Sequence, residues 1–80
     1  LRAYGPFADY LRKHPFHQSQ VERNDMGTFT SFDYMLLVTD ELVDEILALG
    51  DKVEITFPEK LRMKLLQKIG RIRNRYDVSF

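Results

Sequence analysis

Eighty residues allow one domain and no more, and a chain of this size buries only about 60% of the surface that its unfolded form exposes. Apolar residues make up 44% of it and charged residues 30%, the mixture of an ordinary globular domain, which excludes a disordered segment. The absence of cysteine excludes disulfides, thiolate metal sites and Cys nucleophiles and fits a reducing, cytoplasmic setting; no run nears the roughly 18 apolar residues of a membrane span, and zero net charge gives no general attraction to nucleic acid.

Leu1 to Gly5 opens without Met or a signal-peptide pattern, so the chain reads as one domain taken from a longer protein. Leu1 to Tyr4 suits a short first strand. Gly5-Pro6 then breaks the chain before a helix over Phe7 to Lys13, in which Phe7, Tyr10 and Leu11 recur at helical spacing. Pro15 biases His14 away from helical geometry, which ends that helix and starts a strand over Phe16 to Arg23. Asn24-Asp25-Met26-Gly27 suits a tight turn into a returning strand, Thr28 to Val38. Along that strand Phe32, Tyr34, Leu36 and Val38 alternate onto a core face, and Phe29, Ser31, Asp33, Met35 and Leu37 onto the other.

Thr39 is a good N-cap, Asp40 and Glu41 suit the positive end of a helix dipole, and Gly50 sits where a left-handed C-terminal residue belongs. These bound a helix over Asp40 to Leu49, with Leu42, Val43, Ile46 and Leu49 as its apolar stripe. Asp51 to Phe57 alternates as a half-buried strand, with Val53, Ile55 and Phe57 on one side. Pro58 opens a final helix to about Tyr76, in which Leu61, Leu65, Ile69, Ile72 and Tyr76 make one continuous stripe. Gly70 within it marks a kink or a close helix contact. The order is that of an α+β, ferredoxin-like βαββαβ sandwich: two helices on one face of a four-stranded antiparallel sheet, with an additional C-terminal helix. The other sheet face stays open, and Met35 and Leu37 are expected there as an interface.

Charge is segregated along the chain. Asp40, Glu41, Asp44, Glu45, Asp51, Glu54 and Glu59 precede an all-basic run of Lys60, Arg62, Lys64, Lys68, Arg71, Arg73 and Arg75. Such polarity more often orients a subunit against a neighbour than performs chemistry.

The run Tyr10-Leu11-Arg12-Lys13-His14-Pro15-Phe16-His17-Gln18-Ser19-Gln20, then Glu41-Leu42 through Leu49-Gly50-Asp51-Lys52-Val53-Glu54-Ile55, and then Pro58-Glu59-Lys60-Leu61-Arg62, resembles the C-terminal extension (WCX) of WYL-domain transcriptional regulators, in their Bacteroidetes branch. The likeness covers nearly the whole chain. It implies a non-enzymatic domain that follows a winged helix-turn-helix DNA reader and a WYL domain and takes part in effector sensing and dimerisation. The partners implied are those two domains of the same chain, a second copy, DNA through the N-terminal domain, and a nucleotide or nucleic-acid effector. The Trp-Tyr-Leu motif and the DNA-reading helices themselves lie outside this sequence, which has no Trp.

His14 and His17 have His-x-x-His spacing, but a helix end and a strand separate them and no third ligand accompanies them, so no metal is expected. Ser19, Ser31 and Ser79 lack a nucleophile-elbow context, and the four glycines form no phosphate loop, so neither catalysis nor a cofactor is expected. His17, Ser19 and Gln20 form a polar cluster, either closing hydrogen bonds at the sheet edge or, with Arg62, contacting a ligand. Lys60, Lys64, Lys68, Arg71 and Arg75 line one flank of the last helix and suit a polyanion such as nucleic acid; the competing explanation is a solvated helix face or a salt-bridged interface with the acidic helix of a neighbouring subunit.

Overall fold

In a computed structural model, which describes residues Leu1–Asp77, the chain forms four strands and three helices. They are β1 (Arg2–Tyr4), α1 (Pro6–Lys13), β2 (Val21–Asp25), β3 (Phe29–Asp33), α2 (Asp40–Ala48), β4 (Val53–Glu54) and α3 (Glu59–Asp77). The sheet order is β2-β3-β1-β4 and every pairing is antiparallel, the ferredoxin-like arrangement with one helix added. Ser79 lies outside the described residues.

Local chemistry explains where α2 begins and ends. Thr39 is extended and its hydroxyl accepts the Leu42 N–H at 3.1 Å; at the other end Gly50 takes φ +64°, which a residue with a Cβ rarely adopts. In α1 the helix meets the sheet closely through Ala8 and Leu11, which pack with Ala3 and Phe32 in one buried cluster. Tyr10, expected on that stripe, is exposed and stacks on Phe7 at 5.3 Å. A second cluster joins Leu42, Val43 and Ile46 of α2 to Ile55, Leu61 and Leu65. Leu1, Phe16 and Val53 pack against both clusters and fuse them into one core.

Several boundaries differ from the sequence expectation. Phe16 to Gln20 is an irregular turn rather than the start of a strand, because the side chains of His17, Ser19 and Gln20 bond to backbone groups nearby and compete with a ladder. Strand β2 therefore starts at Val21; it runs to Asp25, with a register irregularity between Glu22 and Asn24. All five of its residues are exposed. Arg12 of α1 clamps this edge strand, bonding to Glu22, Asp9 and the buried Thr30 hydroxyl and lying 3.5 Å from Asp25. Two hydrogen bonds from Arg12 hold the Glu22 carboxyl below its usual range.

Strand β3 stops at Asp33, so Tyr34 to Thr39 is an extended connection. Asp51 to Phe57 yields a 3-10 turn at Gly50–Lys52 and a strand of two residues, leaving Phe57 81% exposed rather than in the core. In α3 only Leu61 and Leu65 of the expected stripe are buried; Ile69, Ile72 and Tyr76 are exposed. Gly70 marks no close contact, since a Cβ there meets nothing within 4 Å, and α3 runs unbroken through it.

Candidate functional site

The connection between β3 and α2 continues the strand's alternation without its hydrogen bonds. Tyr34, Leu36 and Val38 turn inward and pack against the core clusters, while Met35 and Leu37 are each 85% exposed. They therefore stand on this connection, not on the open sheet face where the sequence placed them.

Their backbone is held by the polar cluster. The Ser19 hydroxyl accepts the Met35 N–H at 2.9 Å and lies 2.8 Å from His17 Nδ1, which accepts the Ser19 N–H at 3.1 Å. Gln20 is fully engaged next to it. Its Oε1 accepts the Phe16 N–H at 3.1 Å and the Tyr34 hydroxyl at 2.5 Å, and its Nε2 donates to the Leu11 carbonyl at 2.8 Å. Half-burial pushes the Tyr34 phenol up to about 12 by penalising the phenolate. Ser19 and Gln20 thus close internal hydrogen bonds, in place of the ladder that the connection lacks.

His17, Met35, Leu37 and Glu45, with Phe16, Leu36, Thr39 and Leu42, line a shallow groove of about 420 Å³. Of the polar cluster, His17 shares this surface with the exposed apolar pair, and Ser19 supports it from beneath through the Met35 N–H. Arg62 does not join it. That side chain pairs with Glu59 at 3.1 Å and lines a different groove, of about 500 Å³, between α3 and the α2–β4 segment, beside Leu47, Val53, Leu66 and Ile69. A third, mainly apolar cleft of about 370 Å³ opens at the end of the core between Phe32, Tyr34, Leu36, Val38, Ile55 and Phe57.

The basic flank of α3 is partly neutralised within the chain. Lys64 lies 3.6 Å from Asp40 and Lys68 lies 2.8 Å from Asp44, so α2 serves as the acidic counterpart. Lys60, Arg71 and Arg75 have no ion pair among the described residues.

One feature of the open sheet face was beyond a strand-by-strand reading. Neighbouring strands bring Tyr4 opposite Phe29, with ring centroids 5.9 Å apart. The Arg2 guanidinium sits 4.5 Å from the Phe29 ring centroid, and the Tyr4 hydroxyl donates to Glu54 at 2.6 Å. These contacts occupy the Phe29 ring and balance the charge of the face, so its polar groups are turned toward one another.

Among the described residues no group of three or more His, Asp or Glu side chains is arranged to hold a metal ion. No helix among the described residues is long and apolar enough to cross a membrane. No protein-family model, curated protein or solved structure matches the chain.

Proposed function

We propose that the chain is a regulatory domain without chemistry of its own, which serves oligomerisation and effector response at the C-terminal end of a WYL-type transcriptional regulator. Its working surface is the groove of His17, Met35, Leu37 and Glu45. The observation that carries this reading is the combination of two almost fully exposed apolar side chains with a backbone fixed by Ser19 and by the inward anchors Tyr34, Leu36 and Val38. An apolar pair on a rigid support loses little conformational entropy on docking, which is what separates an interface anchor from a mobile loop. Its partners on this reading are the WYL and helix-turn-helix domains of the same chain and a second copy of it, with DNA engaged by the N-terminal domain.

In the longer regulator that this reading implies, Met35→Glu/Leu37→Glu leaves the domain folded and weakens both self-association and operator binding by about tenfold, the loss of one interface anchor. Light scattering and DNA titration with and without effector measure this. A parent regulator that is strictly monomeric, with DNA binding indifferent to effector, overturns the reading.

A further inference from the structure

Beyond Leu65 the apolar stripe of α3 is left about half exposed or more by the described residues of this chain. Ile69, Ile72 and Tyr76 follow Leu65 at i+4, i+7 and i+11, and they are 47%, 45% and 78% exposed. That spacing is the seam of a two-heptad coiled coil, roughly 16 Å long at 1.5 Å per residue. An apolar stripe of this length left exposed on a helix calls for another molecule.

A second α3 is the wrong occupant. The bases of this half without an ion pair among the described residues are Arg71 and Arg75, and its carboxylate Asp77 is already taken by Arg73 at 2.8 Å, so two copies laid side by side bring like charges together with no acid left to separate them. The stripe therefore needs an apolar surface edged with carboxylates.

The chain carries such a surface. Glu45 lines the groove of Met35 and Leu37, and Glu41 precedes it by one turn on α2; neither has an ion pair among the described residues. Within one copy α3 already pairs with α2 through Lys64–Asp40 and Lys68–Asp44. The next bases along α3 in that register are Arg71, which falls beside Leu47, and Arg75, which falls beyond the end of α2 at Ala48; neither has an ion pair among the described residues.

We propose that the free half of α3 docks into the Met35–Leu37 groove of a second copy of this chain, with Ile72 and Tyr76 against Met35 and Leu37, and Arg71 and Arg75 facing Glu41 and Glu45. This rests on reading the chain as an oligomerising domain and names the two surfaces that meet. The contact joins unlike patches, so each copy carries one complete set of both.

Sedimentation equilibrium of the 80-residue chain between roughly 10 µM and 1 mM, the range suited to a small interface, tests it. The chain associates with rising concentration, and less so at high salt. Ile72→Glu and Met35→Glu each raise the dissociation constant about tenfold or more. An equimolar mixture of the two variants associates again, because each retains the patch that the other has lost. Both positions are exposed; should either variant melt early, Arg71→Glu mixed with Glu45→Lys repeats the test without touching an apolar residue. A wild-type chain that is monomeric throughout the range, or variants that stay dissociated when mixed, overturns the proposal. The regulator could still dimerise by another surface, so this failure is distinct from a monomeric regulator blind to its effector.

Discussion

Leu65 and Ile72 stand on the same stripe of the same helix, seven residues apart, and only Leu65 is buried. The flank beside them divides the same way: Lys64 and Lys68 have acidic partners on α2, whereas Arg71 and Arg75 have none among the described residues. The difference lies in the neighbour, because α2 ends at Ala48. Helical period tells which face of a helix is apolar; the length of the adjacent element tells how much of that face the domain itself can use. What remains is surface for a partner.

The contrast is open to direct attack. Leu65→Ala removes a buried side chain from the larger cluster and costs about 2–4 kcal/mol, enough to threaten a domain this small. Ile72→Ala, on the same stripe, changes stability by under about 0.5 kcal/mol at concentrations where the chain is monomeric, because the helix propensity that alanine gains offsets the partial burial that is lost. Chemical denaturation of the two variants measures both; equal losses would place the free half of α3 in the folding core and erase the distinction.

The connection after β3 offers the same test at smaller amplitude, since Tyr34 is an anchor and Met35 is not. Tyr34→Phe loses the bond to Gln20 and about 1 kcal/mol. The pKa of this phenol is raised in the folded state, to about 12 against an ordinary value of 10.0, so its contribution is fully present below pH 10 and is lost as pH climbs through about 12. Thermal melts across that window should show a decline in the wild type that is reduced in Tyr34→Phe. Parallel declines would mean that the phenol is not protected.

The remaining effect is a gain. Gly70 faces open space within an exposed stretch of α3, so Gly70→Ala stabilises by roughly 0.5–1 kcal/mol and raises the melting temperature by a few degrees. Because position 70 lies opposite the Ile69–Ile72 seam, association is unchanged. A loss of association with a gain in stability would show that the partner approaches from the glycine side.

Much of this organisation was legible because it is written locally. Thr39, the acidic first turn and Gly50 fix α2 to within one residue, and the order of elements gives the ferredoxin-like sheet. The exposure of Met35 and Leu37 followed from simple alternation, which survives where the chain is extended without being paired. Alternation does not say where pairing stops, and so it points the two residues toward a sheet face that they do not reach. His17, Ser19 and Gln20 read as strand residues because their side-chain bonds to the backbone have no periodic signature. The juxtaposition of Tyr4 and Phe29 depends on strand order, and the ion pairs between α2 and α3 on helix packing; neither is a property of any single segment.

Strand β2 bears a further consequence. It forms an outer rim of the sheet, where unpaired amide and carbonyl groups could template growth by strands of other molecules. Its sequence, Val21-Glu22-Arg23-Asn24-Asp25, places a charge at three of five positions and interrupts the register midway. The carboxylates that Arg12 grips therefore also act as gatekeepers: they keep this rim from fibrillising while the apolar surfaces elsewhere stay free to assemble selectively.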